Sequence, residues 1–210
     1  GGDSGIGRAV ATLYAREGAN VAIVYLPEEQ SDAEDTRAIV EAEGRICELI
    51  TGDLADPAFC DEVVERTVGA FGRLDILVSN AAQQSSKKLE DLRDEDLERT
   101  FQVNVFVFFL LARAALRHMK PGAVIIATTS ETGIKGSRTM PDYSATKGAV
   151  NAFTKTLSME LIERQPALPS AGQDSRAAGP SQKLDRPEQT VFLLQAVEQV
   201  LNVADRLAAL

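Results

Sequence analysis

Four short apolar or near-apolar runs, VAIVY (Val21–Tyr25), RICELI (Arg45–Ile50), DILVS (Asp75–Ser79) and AVIIAT (Ala123–Thr128), recur along the chain with longer helical patterns between them. Runs this short and this continuous mark strands covered on both faces, because a half-exposed strand alternates polar and apolar residues. The intervening stretches have the length a crossover helix needs. SDAEDTRAIVEAEG closes on a C-cap glycine, Gly44, and Asp56-Pro57 places an N-cap acid before a proline suited to the first helical position. Strands alternating with helices dictate an α/β fold, a doubly wound parallel sheet with helices on both faces.

Charge and composition narrow the function classes. With 44% hydrophobic and 25% charged residues the chain can bury an ordinary globular core. Its net charge of -9 weighs against nucleic acid and anionic membrane as partners, since both reward a basic surface, and points to a small-molecule ligand. The longest apolar run, VFVFFLLA at Val105–Ala112, falls well short of the ~20 residues of a membrane span and reads as buried helix. Cys47 and Cys60 have neither metal-ligand spacing nor a disulfide framework, so two buried thiols in a reducing, cytoplasmic setting are expected. No secretory or transit segment is visible, and no metal site is expected. DLRDEDLER (Asp91–Arg99) reads as a solvated helix start, and His118 as a cation near a helix C-terminus.

Two motifs carry chemistry. Gly1, Gly5 and Gly7 form GxxxGxG directly before the helical RAVATLYAREG. Glycines allow close backbone approach to a pyrophosphate, and the helix N-terminus behind them offers free N–H groups and a positive dipole end, a Rossmann-like dinucleotide turn. In YSATK, Tyr143 and Lys147 stand four apart and share one helix face. A neighbouring ammonium favours the phenolate, which suits Tyr143 to proton transfer at a carbonyl or alcohol oxygen. At the end of the second expected strand, where an NAD site wants an acid for the ribose 2′-hydroxyl, Tyr25 stands instead, while Glu28 and Glu29 begin the next helix. NADP is therefore favoured over NAD.

These motifs, in this order, resemble those of the short-chain dehydrogenase/reductase family over residues 1 to 164. GGDSGIG is similar to the end of its TGxxxGIG turn, GDLAD (Gly52–Asp56) to its adenine-contacting segment, and LVSNAA (Leu77–Ala82) to its LVNNAG motif. VNVF supplies a helix asparagine, Asn104, and ATTS places Ser130 thirteen residues before Tyr143. GGDSGIG together with YLPEE looks most like the aldehyde/alcohol-type reductase branch. The resemblance implies an oxidoreductase that moves a hydride between NADP(H) or NAD(H) and a carbonyl or alcohol substrate. It further implies Tyr143 as general acid/base, Lys147 lowering its pKa and binding the nicotinamide ribose, Ser130 bonding the substrate oxygen, and Asn104 holding a relay water. Gly1, Ser4, Gly5, Ile6, Gly7, Tyr25, Asp53, Leu54, Asn80 and Ala81, with Tyr143 and Lys147, are implied to line the cofactor. A homodimer or homotetramer built on the VFVFFLLA and YSATK helices is implied as well.

Two departures set limits. The family's first strand, ahead of the glycine turn, is missing, and after Arg164 its strand and substrate loop are missing or replaced. The expected organisation is a Rossmann-type domain at 1–164, an irregular linker at 165–187 with four of the eight prolines, and a C-terminal amphipathic helix at 188–210. The alternative function is a catalytically impaired nucleotide-binding or assembly module without a complete substrate pocket.

Overall fold

The computed structural model describes residues 1–163; the expected linker and terminal helix lie outside them. In chain order the elements are α1 (Gly5–Arg16), β1 (Val21–Tyr25), α2 (Gln30–Ala42), β2 (Cys47–Thr51), α3 (Pro57–Phe71), β3 (Ile76–Ser79), α4 (Asp94–Phe101), α5 (Val107–Ala115), β4 (Val124–Ala127), α6 (Thr132–Lys135) and α7 (Pro141–Glu163). All four expected strands form within the runs predicted for them or one residue beyond. Local chemistry explains the boundaries. Asp56 caps α3 by accepting the Ala58 N–H at 3.0 Å with Pro57 at the first position, and Gly72, at a φ of 74°, closes the same helix in the left-handed conformation.

β1 pairs with β2 and β3 with β4, both in parallel: Val21 lies opposite Cys47 and Tyr25 opposite Thr51, Ile76 opposite Val124 and Ser79 opposite Ala127. The two pairs are not hydrogen-bonded to each other. Both pairs are parallel, as a doubly wound sheet requires, and a gap separates them. Gly1 and Gly2 enter that gap. The Gly2 N–H reaches the Val24 carbonyl at 3.4 Å, and Asn80 Nδ2 donates to the Gly1 carbonyl at 3.0 Å. Beyond them a cavity of about 450 Å³ lies between β1 and β3, lined by apolar side chains such as Val10, Tyr14, Val63 and Leu111.

Helices cover both faces. α1 and α2 bury Ala11, Ala15, Ala33 and Val40 against Ile23 and Cys47, while α3 and α5 bury Cys60, Val63, Val64, Val107 and Leu111 around Ile50. On the other side of α5, Phe108 and Ala112 pack with Ile125 and Ala127 of β4 and with Val150, Leu157 and Leu161 of α7. The run Val105–Ala112, expected as buried helix, is buried only in part. Phe106 and Phe109 stay 52% and 45% exposed, because α5 meets α3 and α7 on two sides and leaves a third open. Both cysteines are buried, and desolvation pushes each thiol up to about 11. His118 sits on the surface just past α5, its Nε2 3.0 Å from Glu65 Oε1. Among the described residues no helix is long and apolar enough to cross a membrane, and no cluster of three or more His, Cys, Asp or Glu could hold a metal ion.

Candidate active site

The glycine turn is shaped by contacts that admit no side chain. A Cβ on Gly7 would lie 1.7 Å from the Gly1 carbonyl oxygen, and one on Gly1 would meet the Ala81 backbone at 3.0 Å. Gly5 takes a φ of 51° at the start of α1, with open space where its side chain would be. The helix N-terminus therefore faces a clear space, with Ser4 beside it and its hydroxyl bonded to the buried Asp3 carboxylate at 2.7 Å. Ile6, half-buried, continues into α1. Arg8 braces this end of the fold: Nε donates to the Asp3 carbonyl and to Thr36 Oγ1, and Nη2 to the Asp32 carboxylate at 3.0 Å.

At the end of β1 the Tyr25 side chain turns into the core, its hydroxyl donating to Gln30 Oε1 at 2.7 Å. Glu29 accepts from the Leu26 N–H at 2.8 Å, so the acid that follows closes its own turn. Asp53, after β2, forms a two-pronged pair with Arg99 at 2.8 and 3.2 Å. Burial raises the Asp53 pKa, but the Arg99 hydrogen bonds, the Ala55 N–H and the Arg99 charge together outweigh that and hold the carboxyl below its ordinary range. Leu54 packs beneath it in the core.

Asn80 connects the turn to the other half of the site. Its Nδ2 holds the Gly1 carbonyl and its Oδ1 accepts from Thr128 Oγ1 at 3.0 Å. The Thr128 carbonyl in turn accepts from Lys147 Nζ at 2.8 Å. That ammonium is 3% exposed and lies 5.5 Å from the Tyr143 ring centroid, within cation–π reach. Burial disfavours its charged form and pulls its pKa down to about 8. Gly1, Asn80, Thr128, Lys147 and Tyr143 thus form one continuous path from the glycine turn to the Tyr143 ring.

Ser130, 8% exposed at the end of β4, accepts from the Thr132 N–H at 3.2 Å and from its hydroxyl at 3.0 Å; with both acceptor positions used, its own O–H remains a donor. Asn104 lies in a π-helical turn, Gln102–Phe106, between α4 and α5. It accepts from the Gln83 N–H at 2.7 Å and donates to the Gln83 carbonyl at 2.8 Å and to Thr146 Oγ1 at 3.1 Å. Its side chain is spent on this clamp, which fixes the loop after β3 against α7. Sequence reasoning did not foresee the π turn, the Gln83 clamp or the roles of Thr128 and Thr146. A π insertion inside an apolar helix has no composition signal, and hydrogen bonds between residues 19 to 48 positions apart leave none either.

Comparison with known proteins agrees with this geometry. The family model for short chain dehydrogenase matches residues 1–165. An uncharacterized oxidoreductase of Bacillus subtilis, YhxC, is 46% identical over 207 residues, covering 91% of this chain and 72% of that protein. The chloroplastic NADPH-dependent aldehyde reductase 1 of Arabidopsis thaliana is 44% identical over 170 residues, covering 78% of this chain and 59% of the reductase. The crystal structure of a short chain dehydrogenase from Burkholderia cenocepacia in complex with NADP superposes with a TM-score of 0.75 at 37% identity, over 78% of this chain and 67% of that one. The chain spans little more than half the length of several curated relatives, 57% in the case of General stress protein 39 of Bacillus subtilis. With the glycine turn, the parallel strand pairs and the Tyr143–Lys147 helix arranged as they are, the chain belongs to the short-chain dehydrogenase family.

Proposed function

We propose that the chain is the dinucleotide-binding and proton-handling part of an NADP(H)-dependent oxidoreductase acting on a small carbonyl or alcohol. The carrying observation is the buried Lys147, held by the Thr128 carbonyl at 2.8 Å and placed 5.5 Å from the Tyr143 ring. A cofactor of this class supplies the hydride when bound. The residues present fit it. The open space at Gly5 and the N-terminus of α1 would take the pyrophosphate, and the β1 end presents the buried Tyr25 and a self-closing Glu29 rather than an acid that would repel a 2′-phosphate. The NADP in the Burkholderia cenocepacia structure supports the same choice.

In this reading Tyr143 exchanges a proton with the substrate oxygen, and the Lys147 charge favours its phenolate. Lys147 also binds the nicotinamide ribose, Ser130 donates its O–H to the substrate oxygen, and Asn104 stabilises the proton path. Asn104 does so by holding Gln83 and Thr146 in register. A homodimer or homotetramer through α5 and α7 is supported by the exposed Phe106, Phe109, Met159 and Ile162. A cytoplasmic setting fits the two buried thiols.

The test is NADPH oxidation by the purified chain against a panel of aldehydes and ketones, with Tyr143→Phe as control. Turnover that falls by ~10²–10⁴ in the variant, the usual worth of a positioned acid/base, is the expected result. A rise in melting temperature with NADP(H) but no reduction of any substrate would instead identify a binding module.

A further inference from the structure

We propose that Asp142 is a positioning residue for Tyr143, acting through Thr100 of α4; the inference rests on the acid/base role given to Tyr143 above. Tyr143 lies in the first turn of α7, where backbone N–H groups lack partners four residues earlier and the helix is held least by its own ladder. Two faces of α7 meet different neighbours. Tyr143 and Lys147, four apart, make one. Asp142 and Thr146, also four apart, make the other and are 2% and 0% exposed. Thr146 Oγ1 donates to the Tyr143 carbonyl at 2.7 Å and accepts from Asn104, which ties the second turn to the π turn.

Asp142 ties the first turn. Its Oδ2 accepts from Thr100 Oγ1 at 2.8 Å and, at 3.5 Å, from Ser85 Oγ in the loop that Asn104 clamps at Gln83. Its Oδ1 is buried with no hydrogen-bond partner. A buried carboxylate with one oxygen unfilled is costly. The positive end of α7 offsets part of that cost, and the bond from Thr100 to a carboxylate is stronger than one to a neutral acceptor. Such a residue holds the backbone of Tyr143 against α4 from one side while Thr146 holds it from the other. In this role Asp142 positions the helix turn and transfers no proton.

The chain has three tyrosines, so ring-labelled tyrosine NMR resolves Tyr143 once Tyr143→Phe assigns its signal. In Asp142→Ala and Thr100→Val the Tyr143 ring signal should shift and broaden while those of Tyr14 and Tyr25 stay in place. The kcat for NADPH oxidation should drop ~10²-fold, as expected of a displacement near 1 Å, with the KM for NADPH altered less than about twofold. Asp142→Asn keeps an acceptor for Thr100 and should restore both the signal and kcat to near wild type. An unmoved Tyr143 signal in both Asp142→Ala and Thr100→Val overturns the proposal, as does an Asp142→Asn chain as impaired as Asp142→Ala. A wild-type chain that oxidises no NADPH refutes the functional reading instead, and the NMR comparison still decides whether Asp142 fixes the tyrosine. If Asp142→Ala does not fold, Thr100→Val decides alone.

Discussion

Replacing Lys147 with Met should make the chain's stability respond to pH in the opposite sense to the usual loss of a charge pair. In the folded chain burial lowers the Lys147 pKa from 10.5 to about 8. Below about pH 8 both folded and unfolded chains carry the proton, and the folded state bears the full cost of a buried charge. Between about pH 8 and 10.5 the unfolded chain binds more protons, so wild-type stability rises with pH through that window. The fall from 10.5 to about 8 corresponds to about 3 kcal/mol. Met fills similar volume without titrating, so its advantage over wild type should shrink by about 3 kcal/mol between about pH 7 and pH 10.5. At neutral pH that relief is offset by leaving the Thr128 carbonyl without its 2.8 Å partner, a loss of about 1–3 kcal/mol. The variant should therefore be as stable as wild type or slightly more so, while losing turnover. Urea unfolding of both proteins across the pH range measures the difference directly. Parallel stability curves, with the gap constant to within ~0.5 kcal/mol, would refute the claim that Lys147 is held as a desolvated ammonium.

Other perturbations have equally definite outcomes. Gly7→Ala puts a methyl 1.7 Å from a backbone oxygen, so α1 must move relative to the turn; NADP(H) should no longer raise the melting temperature, and a preserved shift would show that the turn does not form the phosphate site. Asp56→Ala removes the α3 cap and should cost about 1 kcal/mol in urea unfolding with no change in cofactor affinity, since the capping bond to Ala58 involves none of the residues proposed to hold the cofactor.

Much of this could be read from residues alone because it is written at short range. Continuous apolar runs gave the strands, Asp56-Pro57 and Gly44 gave helix ends, and the Tyr143–Lys147 spacing put the two side chains on one face. The contacts that complete the site are of another kind. Arg99 meets Asp53 across forty-six positions, Asn104 meets Gln83 across twenty-one, and Asp142 meets Thr100 across forty-two. Each joins ordinary polar residues whose types carry no periodicity, and only the packing of α4 and the π turn against α7 and against the loops after β2 and β3 brings them together. Tyr25 shows the reverse effect. Its place at the β1 end follows from sequence, but whether its side chain lines a ligand or fills the core is decided by Gln30, five residues on.

The Asp53–Arg99 pair has an electrostatic consequence. It joins the loop after β2 to α4 through side chains that are 45% and 36% exposed, so dissolved ions screen it, whereas the bond from Thr100 to the buried Asp142 lies out of their reach. Raising the ionic strength should therefore loosen the loop after β2 while the first turn of α7 stays fixed on α4.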